Sequence, residues 1–148
     1  MGPRRIRVGA LKSEMGPADE QSMSGPAAMV VDDDPRFRRG LGRLLAEQGY
    51  TVALAESAAS AVDALGKGLP DLMFIDLEMP GARGDLLVRA LRKMRHDLPI
   101  VVCSGTANRD DLVMLVQAGI SDFIPKPFGR AELVACLDRL AVRSPKST

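Results

Sequence analysis

The sequence predicts a (βα)5 fold: one domain built on a five-stranded, doubly wound parallel α/β sheet. Three observations predict it. Five short apolar runs alternate with five amphipathic stretches between about residues 27 and 142. The runs are near-continuous in Ala, Val, Leu, Ile and Met, as in strands buried on both faces. Each intervening segment has room for one helix, so neighbouring strands pair in parallel through right-handed crossovers.

The elements follow in order. Ala27 to Asp32 is the first strand. Asp34 caps the first helix, with Pro35 at its first position. Phe37, Leu41, Leu44, Leu45 and Gln48 share one face of that helix, and Arg36, Arg39 and Arg43 line the other. Gly40 and Gly42 weaken it by roughly 1 kcal/mol each relative to Ala, and Gly49 ends it. Thr51 to Ala55 is the second strand. Ser57 caps a helix through Ala61, Val62 and Leu65, stopped by Gly66 and Gly68. Pro70 precedes the third strand, Asp71 to Ile75. A loop with Pro80, Gly81 and Gly84 leads to a helix bearing Leu87, Leu91 and Met94. Pro99 introduces the fourth strand, Ile100 to Cys103. Asp110 and Asp111 start a helix through Leu112, Leu115 and Val116, closed by Gly119. Ser121 to Pro125 is the fifth strand, and the last helix carries Leu133, Leu137 and Leu140.

Composition narrows the function. A chain of 148 residues, 46% hydrophobic, supports one sizeable core. A formal charge of +1 with interspersed signs gives no nucleic-acid footprint and no membrane-binding surface. Cys103 and Cys136 lack metal-ligand spacing and read as reduced thiols of a cytoplasmic protein. No apolar run approaches the roughly 18 residues of a membrane span. Arg4, Arg5 and Arg7 precede only the short patch Val8 to Leu11, too little for a secretory segment. Residues 1–26 read as a disordered tail, with Met15 and Met23 as candidate alternative starts, and 143–148 as a second tail.

The chemistry sits where strands end. Asp32, Asp33 and Asp34 follow the first apolar run, Asp76 the third, and Lys126 the fifth. In a flavodoxin-like sheet the first and third strands are neighbours, and ligands bind at the carboxyl edge. Asp32, Asp33 and Asp76 then meet, and clustered carboxylates repel unless a divalent cation joins them. A lysine beside them implies a still more anionic group, such as a phosphoryl. Asp76 is the candidate nucleophile, able to form an acyl phosphate. Asp32 and Asp33 are candidate ligands for Mg²⁺ or Mn²⁺, with the Glu78 carbonyl completing the set. Lys126 and Ser104 would bond phosphoryl oxygens, and Gly105 leaves space for the incoming group. Asp34 reads as a helix cap only.

These residues carry a family resemblance. Met29-Val-Val-Asp-Asp-Asp-Pro35, Phe74-Ile-Asp-Leu-Glu-Met-Pro80, Val102-Cys-Ser-Gly105 and Phe123-Ile-Pro-Lys-Pro-Phe128 together resemble the CheY-like receiver domain of two-component response regulators, over residues 27–142. The resemblance implies that Asp76 is the phosphoacceptor and that Asp32 and Asp33 bind Mg²⁺. It makes Ser104 the switch hydroxyl, Lys126 the lysine that senses the phosphoryl, and Phe123 the aromatic that changes rotamer. It also implies a cis peptide between Lys126 and Pro127. Glu78 and Thr106 stand at positions that border the hydrolytic water's path in that family, and Glu78 adds negative charge near the phosphoryl. Lys126 is expected to act as a detector of the phosphoryl more than as a counter-ion of the resting site.

The expected partners are a sensor histidine kinase or histidine phosphotransfer protein, and a downstream protein effector reached through the fourth helix, fifth strand and fifth helix. Neither direct nucleic-acid binding nor a membrane is expected, and the chain is expected to be a monomer or weak homodimer. It is not expected to be an enzyme beyond self-directed phosphotransfer and autodephosphorylation. No output segment follows residue 142, so the expectation is a single-domain regulator or an isolated receiver: a motility-type effector, a phosphorelay intermediate or a kinase inhibitor. The alternative is a degenerate receiver that binds partners without phosphorylation. A haloacid dehalogenase-type phosphatase fits poorly, because Asp76-Leu-Glu78 replaces its Asp-x-Asp and there is no cap domain. A nucleotide or flavin binder would need a glycine-rich phosphate loop, and Gly40-Leu-Gly42 lies inside a helix. His96 reads as a solvated loop residue, not a phosphotransfer histidine.

Overall fold

Residues 25–81, 83–95 and 97–143 are described in the computed structural model. The strands are β1 (Ala27–Val31), β2 (Thr51–Ala55), β3 (Leu72–Asp76), β4 (Ile100–Ser104) and β5 (Asp122–Pro125). The helices are α1 (Pro35–Glu47), α2 (Ala58–Leu65), α3 (Gly84–Met94), α4 (Arg109–Ala118) and α5 (Arg130–Arg143). The sheet order is β2-β1-β3-β4-β5 and every pairing is parallel, which is the expected doubly wound α/β arrangement.

Side chains alternate across the sheet, and each face has its own core. Met29, Val31, Met73, Ile75, Ile100 and Val102 pack with Ala61 and Leu65 of α2, Leu87, Val88 and Leu91 of α3, and Leu115 of α4. Ala28, Val30, Leu72, Phe74, Val101 and Cys103 pack with Leu41 and Leu45 of α1 and Leu133 and Cys136 of α5. This two-sided burial explains why the strands read as continuous apolar runs. Cys103 on β4 and Cys136 on α5 are free buried thiols.

Register aligns the functional ends. Val31 pairs with Ile75, Asp76 with Cys103, and Ser104 with Pro125. Several boundaries differ by a residue from the sequence expectation. β3 starts at Leu72 because Asp71 is a loop clamp: its carboxylate accepts from the Ala27 amide at 2.8 Å. Asp32 lies just past β1, although its amide still donates to the Ala55 carbonyl at 3.0 Å. Pro26 is already tied to β2, its carbonyl accepting from the Thr51 amide at 2.8 Å. The remainder of the expected tails, residues 1–24 and 144–148, lies outside the described residues, as does His96.

Capping follows the sequence with one shift. The Asp34 side chain accepts from the Arg36 amide at 3.0 Å, and Ser57 forms a capping box with Ser60. α4 is capped two residues before the expected start at Asp110, by Asn108 in a capping box with Asp111. Val62 on α2 and Met94 on α3 face outward, as do Leu112, Val113 and Val116 on α4. α4 is pinned to the sheet by Leu115 and Ala118 alone among its buried residues, so its other apolar side chains have no core to enter. Among the described residues, no helix is long and apolar enough to cross a membrane.

Candidate functional site

The ends of β1, β3 and β5 bring Asp32, Asp33, Asp76 and Lys126 together. One carboxylate oxygen from each of the three aspartates lies within 4.8 Å of the other two. Asp32 and Asp76 are buried, whereas Asp33 is exposed and closes the cluster from the solvent side. Asp32 is held from three directions. Its Oδ1 accepts from the Asp34 amide at 2.9 Å, its Oδ2 from Lys126 Nζ at 2.8 Å, and its carbonyl from Arg38 Nη1 at 2.9 Å. The same Lys126 ammonium donates to Asp76 Oδ1 at 3.4 Å.

Lys126 is therefore a counter-ion of the Asp32 and Asp76 carboxylates, a role the sequence reading ranked second to sensing a phosphoryl. The neighbouring Asp32 and Asp76 carboxylates repel each other, and the Lys126 ammonium donates to both. Partial burial lowers its proton affinity, but hydrogen bonds and charge from Asp32 and Asp76 outweigh that and raise its pKa. Asp76 moves the other way from an ordinary carboxylate. Burial first, then the neighbouring Asp32 charge, pushes its pKa up to about 6 despite Lys126.

An aromatic pair lies beside the lysine through Phe37. Lys126 Nζ sits 4.2 Å from the centre of the Phe37 ring. Phe37 meets Phe128 edge-on, with centroids 5.5 Å apart. Outside them lies an open cavity of about 220 Å³ lined by Arg36, Phe37, Gly40, Leu41, Leu44 and Phe128. Phe37 reads in sequence as one more core residue of α1. Its position three residues after the cap, on the first turn beside the strand end, is the signal that places it at the site.

Ser104 ends β4 with its side chain buried. Its hydroxyl donates to the Glu78 carboxylate, with both oxygens at 2.8 Å, and accepts from the Thr106 amide at 3.1 Å. The structure thus ties Ser104 to Glu78 and not to the aspartate cluster. Sequence reasoning assigned Glu78 a backbone carbonyl and a nearby charge, but not this contact. Phe123, on β5, is half-buried and packs against the core under α4. The Lys126–Pro127 peptide is cis, as the resemblance implies. A Cβ added to Gly105 would meet Lys126 at an ordinary van der Waals distance of 3.8 Å, so the glycine abuts the lysine without a clash that would require it.

Gly84 is a further residue that the sequence reading left as loop punctuation. A Cβ there would collide with the Asp76 carbonyl oxygen. The Gly84 amide also donates to the Leu77 carbonyl at 2.9 Å. The first residue of α3 is thus pressed against the backbone that carries the candidate nucleophile.

The donor set fits a hard divalent cation: all-oxygen, anionic and open to solvent on one side. Cys103 is a poor alternative nucleophile or soft ligand, because burial pushes its thiol pKa far up.

Comparison with known proteins agrees with this architecture. The family profile described as the response regulator receiver domain matches residues 28–138. The transcriptional regulatory protein PrrA of Mycobacterium tuberculosis is 37% identical over 124 residues, covering 84% of this chain and 53% of that protein. The response regulator MprA of a Mycobacterium species is 37% identical over 116 residues, covering 78% of this chain and 50% of that protein. The chain thus spans about half the length of these curated relatives. Among solved structures, the receiver domain of a Francisella response regulator superposes with a TM-score of 0.71 at 25% identity, covering 80% of this chain and 98% of that one. A family match over most of the chain, the sheet order and the acidic strand ends agree: the chain belongs to the response regulator receiver domain family.

Proposed function

We propose that the chain is a phosphorylation-driven switch in which Asp76 accepts a phosphoryl group from a phosphohistidine of a sensor kinase or phosphotransfer protein. The observation that carries this reading is the convergence of three carboxylate oxygens within 4.8 Å under one lysine at the carboxyl edge of the sheet.

In the transfer, a lone pair of Asp76 forms the O–P bond as the donor's P–N bond breaks. The bonding pair leaves with the imidazole nitrogen, which then takes a proton. Asp32, Asp33, Asp76 and the Glu78 carbonyl would hold Mg²⁺ or Mn²⁺. When bound, such an ion supplies charge neutralisation for the phosphoryl oxygens. Lys126, already 3.4 Å from Asp76, passes from carboxylate to phosphoryl oxygen with a small movement. Arg38 and the Asp34 amide keep Asp32 oriented throughout. The new group brings about −1.5 to −2 charges and strong acceptors. Ser104 turns toward it, Phe123 fills the vacated space, and the surface of α4, β5 and α5 changes for a protein effector.

The exposed Leu112, Val113 and Val116 on α4 give that surface apolar area to offer a partner. Relatives twice as long carry names of transcriptional regulators, so the effector is either another protein or another part of a longer chain. A phosphorylation-independent module has no comparable support, because the aspartates, the lysine and the switch hydroxyl are all in place. The test is uptake of phosphoryl from a small phosphodonor with Mg²⁺. Wild type takes up about one group per chain, and Asp76→Asn takes up none. Equal uptake by the variant would refute the assignment.

A further inference from the structure

Ser104 has a single hydroxyl hydrogen, and in this structure Glu78 holds it. A serine hydroxyl donates once. Both Glu78 oxygens lie 2.8 Å from Ser104 Oγ, which also accepts from the Thr106 amide at 3.1 Å. The hydroxyl cannot serve a phosphoryl on Asp76 while it serves Glu78. The two acceptors are both anions, and a phosphoryl at the end of β3 would also repel a carboxylate two residues along the same chain.

Glu78 is exposed, so its side chain can swing into water at little cost, whereas Ser104 is buried and cannot. The competition therefore has a defined loser. From this geometry we infer that Glu78 is a positioning residue for Ser104: a built-in anion that occupies the switch hydroxyl at rest and is expelled when Asp76 acquires its phosphoryl. This rests on the receiver reading above. Glu78 then sets the threshold for switching through Ser104, apart from any effect of its charge on the phosphoryl's lifetime. The exchange is one hydrogen bond for another, and the released carboxylate gains hydration.

A double-mutant cycle separates this role from plain charge repulsion. The full chain is titrated with beryllofluoride and Mg²⁺, a tetrahedral stand-in for the phosphoryl, in wild type, Glu78→Ala, Ser104→Ala and the double variant. Repulsion by Glu78 acts whether or not Ser104 is present, but hydroxyl occupancy acts only when it is. Glu78→Ala is expected to tighten beryllofluoride binding by roughly fivefold more in the Ser104 background than in the Ser104→Ala background, the scale of one charge-assisted hydrogen bond in a half-exposed site. In the unliganded protein, NMR signals of the Thr106 amide and the Phe123 ring should move in Glu78→Ala and stay put when the same change is made on Ser104→Ala. Equal tightening in both backgrounds, or unliganded spectra that ignore Glu78, would overturn the proposal while leaving the phosphoacceptor reading intact. Failure of wild type to bind beryllofluoride would instead bring down the receiver reading, and this proposal with it.

Discussion

Lys126 Nζ rests 4.2 Å from the centre of the Phe37 ring while it donates to Asp32 Oδ2 at 2.8 Å. A half-desolvated cation over an aromatic face gains about 0.5–2 kcal/mol. Phe37→Leu keeps most of the apolar contact and loses the ring face. It is expected to cost about 1–2 kcal/mol in urea unfolding, with Phe37→Tyr close to wild type. The same Phe37→Leu change made on Lys126→Met should cost clearly less. Identical costs in the two backgrounds would show that Phe37 is only packing.

Lys126→Ala separates the resting role of this residue from its signalling role. Without metal it leaves Asp32 buried beside Asp76 with no lysine between them. A loss on the order of 3 kcal/mol follows from breaking a buried pair. Added Mg²⁺ should recover much of that loss, because it supplies the missing charge. The variant should still take up phosphoryl on Asp76, yet its partner binding should no longer respond. A thermal melt with and without Mg²⁺ checks the first part, and partner binding before and after phosphorylation checks the second.

Acid strengthens the metal-free fold at Asp76. Its pKa is about 6 in the folded chain against an ordinary value of 3.8. Between those values the folded state binds more protons than the unfolded one. Stability from this residue is thus highest below the window, falls as pH rises through it, and stays low above about 6. Asp76→Asn, which cannot ionise, should melt a few degrees above wild type near neutral pH in chelator. The gap should close as pH falls toward about 4. A gap that widened on acidification would contradict the electrostatic account of the cluster.

Gly84→Ala would press a methyl group against the Asp76 carbonyl. The start of α3 and the end of β3 would have to part, at a cost of about 1–3 kcal/mol for an overpacked contact. Since Asp76 moves with its backbone, phosphoryl uptake should slow by more than the stability loss explains. Uptake kinetics measured under conditions where both proteins are fully folded check this. An unchanged rate would show that the contact is purely structural.

Sequence made the sheet legible because both faces are buried, so period and run length agree on parallel strands. It made Asp76, Asp32, Asp33 and Lys126 legible because each sits at the carboxyl end of a strand or within two residues of it, where register largely fixes position. Contacts made by long side chains were not legible. Glu78 could have pointed to solvent, and its bond to Ser104 depends on a rotamer that no local pattern encodes. Phe37 and Leu41 look alike in a helical stripe, yet one faces the lysine and the other the core. α4 misled in the same way. Its apolar spacing reads as a buried stripe, but the sheet beneath takes only Leu115 and Ala118, leaving Val116 69% exposed.

The central claim is that one carboxylate, on Asp76, carries the phosphoryl. The most direct measurement is reductive trapping of the acyl phosphate with borohydride after treatment with a small phosphodonor and Mg²⁺, followed by peptide mass spectrometry. The account predicts homoserine at position 76 and at no other aspartate. Homoserine at position 32 or 33, or none anywhere in a chain that has taken up phosphoryl, would contradict it.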